Sequence, residues 1–162
     1  MDIDIVIIGL NAEKTLQKCI ESASAVKYDR GIVRIFYVDS GSCDGSVELA
    51  GKLLGEDVLQ TRGGHPSPGS ARNLGWRTGE APLVQFIDSD TRLAPGWLDR
   101  AVDALEEKHG ALRGNRTEKS PSDSIYNWIA DHEWNEDPGE CEAFGGDVLV
   151  RREALEETGG YD

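Results

Sequence analysis

Two carboxylates stand two residues apart in Asp88-Ser89-Asp90, directly after the apolar run Leu83–Ile87. Side chains at i and i+2 of an extended chain project to the same side. Paired hard oxygen donors suit Mg²⁺ or Mn²⁺, which take one or two carboxylates together with substrate phosphates. The competing role is a turn in which either aspartate caps backbone N–H groups. A second acidic segment, Asp39-Ser40-Gly41-Ser42-Cys43-Asp44-Gly45-Ser46, follows the run Ile32–Val38. There Asp39 can accept the ring N–H of a base, and the small residues after it let a ligand approach the backbone. Asp44 and Ser46 read as caps of the helix that follows. Arg72-Asn73 comes after a Gly/Pro-rich loop, 62–68. Its guanidinium suits a diphosphate, the alternative being a surface arginine that neutralises nearby acids. His65 in that loop reads as solvated. Trp128, His132 and Trp134 suit a sugar-stacking surface, although helix packing is the better account of Trp128.

The same loop holds a rival chemistry. Gly41-Ser42-Cys43-Asp44-Gly45 fits a G-x-C-x-G form of the nucleophile elbow, which would make Cys43 the nucleophile of a cysteine hydrolase with His65, His109 or His132 as base. Against it, the elbow would follow only the second strand, and none of the three histidines has a triad-like context. No G-x-G-x-x-G follows a strand and no G-x-x-x-x-G-K-[ST] occurs. A dinucleotide dehydrogenase and a P-loop kinase are thereby excluded.

The elements that must position these groups alternate from the first residues. Ile3–Leu10, Ile32–Val38, Val58–Thr61 and Leu83–Ile87 read as strands. Between them come helical patterns at Leu16, Cys19, Ile20 and Ala23, with Asn11 as cap, at Val47, Ala50 and Leu54, and around Ala71–Arg77. Trp97–Leu105 predicts a further helix, with Pro95 near its first turn and Gly110 past its end. The fold class is α/β, a mostly parallel sheet with helices on both faces. In such sheets ligands bind beyond the carboxyl ends of the strands, here at Gly9–Glu13, at Asp39 and at Asp88–Asp90. Acids at adjacent strand ends cost energy unless a cation or hydrogen-bond donors offset them. After Ala111 the alternation weakens. Arg113–Pro121 is loop-like, Ile125, Trp128 and Ile129 suggest a short amphipathic helix, Ala143–Val150 a strand, and Arg152–Thr158 a last helix closed by Gly159.

At 162 residues the chain fits one domain. Its 30 acids against 17 Lys plus Arg give a net charge of -13. That field repels nucleic acid and anionic membrane surfaces, and an anionic substrate requires a local arginine or a bound cation. Cys19, Cys43 and Cys141 are odd in number and widely spaced, which argues against a disulfide framework or zinc site and for a reducing compartment. With no leader and no membrane span, a cytoplasmic protein is expected.

Taken in order, these segments resemble family 2 glycosyltransferases of the GT-A fold. Ile5–Asn11 with Leu16, Cys19, Ile20 and Ser22 resembles the family's opening strand and helix, with Gly9-Leu10 where a proline usually precedes the asparagine. Val38–Ser46 resembles its V-D-D/S-G-S-x-D-G-S/T loop, Gly69–Gly75 its A-R-N-x-G segment, Phe86–Asp90 its D-x-D strand, and Phe144–Asp162 its G-G…R-R…G-G-Y-D segment. The resemblance implies a nucleotide-binding half, 1–110, and the start of an acceptor-side half, 111–162. It implies that Leu10, Asn11, Glu13, Asp39 and Ser40 hold the base and ribose of a nucleoside-diphosphate sugar, a UDP-sugar first. Arg72 would sit near the diphosphate, Asp88 and Ser89 near the ribose or metal, and Asp88 and Asp90 on Mn²⁺ or Mg²⁺. Gly145, Gly146 and Asp147 would line the sugar and acceptor side. The implied reaction is transfer to a hydroxyl of a glycan or other acceptor, mostly with inversion. The family's base lies in an acidic motif shortly after Gly159-Gly160-Tyr161-Asp162, and no residue here matches it. Asp147 is the first carboxylate to test in that role. A binding module without transfer and a homo-oligomer are the accompanying expectations.

Overall fold

The computed structural model describes residues 1–61, 66–134, 137, 139–141 and 144–162. Strands β1 (Ile3–Gly9), β2 (Val33–Asp39), β3 (Val58–Gln60), β4 (Leu83–Asp88), β5 (Ala111–Arg113) and β6 (Val148–Arg151) form one sheet in the order β3-β2-β1-β4-β6-β5. The β1–β2, β1–β4 and β2–β3 pairs are parallel, and β6 runs antiparallel to both β4 and β5. Helices α1 (Glu13–Ser24), α2 (Ser46–Leu54), α3 (Pro68–Thr78), α4 (Trp97–Ala104), α5 (Ile125–Trp134) and α6 (Arg152–Thr158) connect or flank them. The expected α/β class and mostly parallel sheet are what the chain adopts.

β1 is central because it is apolar on both faces. Ile3, Ile5 and Ile7 pack with Leu16, Cys19 and Ile20 of α1 and Leu98 of α4, whereas Val6 and Ile8 pack with Ala71 and Trp76 of α3. The period-two alternation thus feeds two cores, one on each side of the sheet. α3 lies unusually close to the strands: a Cβ at Gly75 would overlap Val6. Arg72 stands one helical turn earlier, toward the carboxyl ends of the strands.

Three local expectations need correction. The N-cap of α1 is Ala12, with no side-chain cap, and not Asn11. Pro68, assigned to a loop, opens α3 behind a Ser67–Ser70 capping box, in keeping with proline's fixed φ and missing N–H. The strand expected over 143–150 is confined to Val148–Arg151, and Ala143 lies outside the described residues. α5 forms where a helix was expected but buries no side chain: Tyr126 and Trp128 are exposed. Among the described residues no helix is long and apolar enough to cross a membrane.

The sheet is closed from below by one buried ion pair. Arg152 Nη2 donates to Asp4 Oδ2 at 2.8 Å, Arg152 Nε to the Ala81 carbonyl at 2.6 Å, and Arg152 Nη1 to the Trp76 carbonyl. The Ala81 N–H completes the Asp4 carboxylate at 2.8 Å, and the two side chains are only 4% and 13% exposed. Removing one partner of such a pair strands a buried charge, at about 3–5 kcal/mol. Arg152→Met is therefore expected to lower the unfolding free energy by roughly that amount in urea titrations, and a loss under about 1 kcal/mol would show that the pair behaves as a surface pair.

Candidate functional site

The carboxyl ends of β1, β2 and β4 lie level, because Gly9 pairs with Asp39 and Ile8 with Asp88. After β1 the chain turns at Asn11, whose φ of 52° is the only positive value among described non-glycine residues. Asparagine tolerates this left-handed conformation better than most residues. The turn aims three successive N–H groups at the β2–α2 loop. Asn11 donates to Ser42 Oγ at 2.8 Å, Ala12 to Ser46 Oγ at 2.8 Å and Glu13 to Asp44 Oδ2 at 3.1 Å. In return the Cys43 N–H donates to Asn11 Oδ1 at 2.8 Å. Asp44 and Ser46 were expected to cap the helix after them. The Ser46 N–H does donate to Asp44 Oδ1 at 3.0 Å, yet both side chains also cap α1 from across the cleft. The Ser46 hydroxyl, followed by backbone N–H groups, holds the Asp44 carboxyl below the usual carboxylate range.

Asp39 is wholly buried beneath this loop. Its carboxylate accepts from the Tyr37 hydroxyl at 3.1 Å, the Ser42 hydroxyl at 2.5 Å, the Gly41 N–H at 2.9 Å and the Ser42 N–H at 2.8 Å. A carboxylate offers about four lone-pair positions, so Asp39 is saturated and shapes the loop. Burial, then the Asp39 charge, pushes the Tyr37 phenol up. Leu10 is exposed beside the turn, while Ser40 and Ser89 are buried with their N–H groups donating to Gly9 and Ile8 carbonyls at 2.9 Å. Gly9 is obligatory there, since a Cβ would come within 2.8 Å of both Ser89 Oγ and the Tyr37 hydroxyl.

The charged centre lies at the end of β4. Asp88 Oδ1 accepts from Arg72 Nη2 at 2.8 Å, while Asp90 is exposed just beyond it. Gly146 packs on Asp88 so closely that a Cβ would overlap the carboxylate. Asp147 follows, its side chain 13% exposed and in ion-pair contact with Arg116. Burial pushes the Asp147 carboxyl up to about 6, with Arg116 opposing and Asp88 and Asp90 adding to the rise. The same field reaches Cys19: burial, then Asp147, Asp90 and Asp88, pushes its thiol up to about 12. A cavity of about 620 Å³ opens beside these carboxylates, walled by Trp97, Arg116 and Trp134.

These groups fit a divalent cation that arrives with its own oxygen ligands. Among the described residues no three His, Cys, Asp or Glu side chains are grouped to hold a metal. Mg²⁺ commonly takes only one or two carboxylates and completes its shell with phosphate oxygens and water. The raised Asp147 carboxyl beside Asp88 and Asp90, only partly offset by Arg116, marks negative charge that such an ion neutralises.

The described frame also matches a protein-family model, Glycosyl transferase family 2, over residues 4–158. The chain belongs to that family. Among curated proteins it is similar to glycosyltransferase AglE of Haloferax volcanii, 27% identical over 119 residues, which covers 72% of this chain and 39% of AglE. Among solved structures it is similar to the mannosyltransferase PcManGT of Pyrobaculum calidifontis in complex with GDP-Man and Mn²⁺. That likeness has a TM-score of 0.74 at 21% identity over 99% of this chain and 47% of the other. Glucosyl-3-phosphoglycerate synthase of Mycobacterium tuberculosis, in complex with Mn²⁺ and UDP-glucose, superposes at a TM-score of 0.66 with 21% identity over 94% of this chain and 57% of the other. The fold is therefore GT-A. The chain spans less than half the length of the curated relatives it matches.

Within this family 2 chain the structure brings Asn11 and Glu13 against the Asp39 loop, leaves Leu10 exposed beside them, and gathers Arg72, Asp88, Gly146 and Asp147 at the end of β4. Among the described residues it assembles no cysteine–histidine pair of a hydrolase. Cys43 is exposed, and among the described residues no histidine hydrogen-bonds to it. The His109 carbonyl is held by Arg151, His132 stacks on Trp128, and His65 lies outside the described residues. The Trp128–His132 stack is separate from Trp134, which lines the cavity beneath Arg116. Sequence reasoning missed two site residues, Arg116 and Tyr161. The only signal for Tyr161 was its place in the Gly159–Asp162 segment, and Arg116 sits in a polar stretch without periodicity.

The raised Asp147 carboxyl has a testable sign. Its folded value of about 6 exceeds the ordinary 3.8, so its stability contribution is full below about pH 4 and is lost as pH rises through about 6. Asp147→Asn, neutral throughout, should match wild type near pH 4 and exceed it at pH 7.5 by up to about 3 kcal/mol. Denaturant titrations in EDTA at both pH values check this. A variant weaker than wild type at pH 7.5 would mean that the Arg116 pair outweighs desolvation.

Proposed function

We propose that this chain binds a nucleoside-diphosphate sugar together with a divalent cation, and that it acts as a metal-dependent glycosyltransferase toward an acceptor hydroxyl. The observation that carries the reading is the meeting of Arg72, Asp88, Asp90 and Asp147 at the carboxyl end of β4, level with the Leu10–Glu13 turn, in a family 2 fold. Relatives of the same fold are described in complex with GDP-Man and Mn²⁺ and with UDP-glucose and Mn²⁺, which supports Mn²⁺ or Mg²⁺ and a UDP-sugar or similar donor here.

The roles follow from position. Leu10, Asn11 and Glu13 line the base and ribose, with Ser40 and the saturated Asp39 keeping the loop in place. Arg72 faces the diphosphate, Ser89 spaces the two strand-end carboxylates, and Asp88 and Asp90 hold the cation. When bound, the ion supplies Lewis-acid neutralisation of the departing nucleoside diphosphate. Gly146 leaves room on the sugar side, and Asp147, poised near pH 6 beside the cavity, is the first carboxylate to test as base for an inverting displacement. A cytoplasmic location and a homo-oligomeric assembly belong to the same proposal. The first is supported by three free cysteines and the second by exposed Tyr126 and Trp128 on α5.

Thermal shift with UDP and GDP, with and without Mn²⁺, tests the reading. At a ligand concentration near 100 times Kd the expected stabilisation is about 2.7 kcal/mol, present with Mn²⁺ and abolished by EDTA. Asp90→Ala should fold normally and lose the cation dependence. Tight, EDTA-insensitive nucleotide binding by wild type would overturn the proposal.

A further inference from the structure

Arg72 is more buried than a docking arginine needs to be, its side chain 11% exposed. One of its donors, Nη2, holds Asp88 at 2.8 Å, while Nε is buried with no hydrogen-bond partner among the described residues. Its guanidinium carbon stands 5.5 Å from the centre of the Tyr161 ring. The Tyr161 hydroxyl is likewise buried with no partner among the described residues, and burial pushes it up to about 12, with Arg72 opposing and Asp88 adding. Tyr161 is itself fixed. Its ring packs edge-on against Phe86 at 5.2 Å, and its backbone exchanges two hydrogen bonds with the Asn73 side chain, at 2.6 and 2.9 Å.

Two donors, one charged and one neutral, are thus buried beside the Arg72–Asp88 pair without acceptors among the described residues. An under-satisfied buried donor costs free energy that an incoming anion recovers. A diphosphate offers several charged oxygens, enough to take the guanidinium fork and the phenol together. Drawing Arg72 toward it uncovers Asp88 beside Asp90 and Asp147, and like charges at that spacing demand a replacement cation.

We propose, resting on the nucleotide-sugar reading, that Arg72 is a latch on the cation site: it occupies Asp88 until a diphosphate draws it off, with Tyr161 receiving the anion alongside it. Divalent cation and nucleoside diphosphate then bind as a coupled pair, each raising the other's affinity by the same factor. Arg72 acts here as a positioning residue whose counter-ion exchange sets the order of binding.

Mn²⁺ binding read by electron paramagnetic resonance, with UDP and GDP tried in turn, tests the latch without any turnover. Wild type should bind Mn²⁺ alone weakly and at least about tenfold more tightly with nucleotide. Arg72→Met should bind Mn²⁺ alone about tenfold more tightly than wild type, with the coupling to nucleotide reduced toward unity. Adding Asp88→Asn to that variant should erase the gain, showing that it passes through Asp88. Should Arg72→Met fail to fold, Arg72→Lys, a point charge without the fork, should show a smaller shift in the same direction. Unchanged Mn²⁺ affinity and coupling in a folded Arg72 variant overturn the latch alone. Failure of both nucleotides to bind wild type with Mn²⁺ overturns the nucleotide-sugar reading and the latch with it.

Discussion

Repulsion among Asp88, Asp90 and Asp147 is the constraint around which this end of the molecule is arranged. The chain already carries a net charge of -13, and here it gathers three carboxylates at one strand end, with burial weakening water's screening most at Asp147. Two arginines from different elements answer them, Arg72 from α3 and Arg116 from the segment after β5. The balance is incomplete: the Asp147 carboxyl is raised, the Cys19 thiol beneath is driven up, and Arg72 Nε and the Tyr161 hydroxyl have no partner among the described residues. A site held in this state favours ligands that bring charge of both signs, which a cation–diphosphate pair does.

The rest of the fold keeps those charges close. Gly75 lets α3 settle onto Val6, which delivers Arg72 to Asp88, and Gly146 lets the segment before β6 pass against the Asp88 carboxylate. Across the cleft, the Asn11 turn and the Ser42–Ser46 loop exchange hydrogen bonds in both directions. Those two segments are therefore tied to each other before anything binds. Pre-organisation of this kind reduces the ordering cost of association.

Much of this was legible in the residues themselves. Apolar runs of β-branched residues marked β1, β2 and β4, and parallel pairing then put Asp39 and Asp88 at neighbouring ends. What escaped were interactions between residues far apart in sequence. Asn11 has the composition of a cap, but its left-handed φ turns its side chain to Cys43, 32 positions away. Asp39 looked like a free acceptor because nothing in its segment announces that Tyr37, Gly41 and Ser42 saturate it. The partners of Asp147 and Asp88 come from regions whose local pattern is weak or polar, and the antiparallel return of β6 follows from a connection that carries no periodic signal. Trp134 could be associated with Trp128 only by spacing, and the helix they share points them to different surroundings.

The Asp4–Arg152 pair ties β1 to α6 across 148 positions, and that separation has a consequence for synthesis. The chain emerges at about 5–20 residues per second, so Asp4 waits roughly 7–30 s for its counter-ion. In that interval β1 can find β2 and β4, but the lower edge of the sheet carries an acid that no nascent partner neutralises. The growing chain must either keep that edge in water or delay the packing of Gly79 and Trp76 over it. α6, made later than β1, thereby sets when that strand can be sealed.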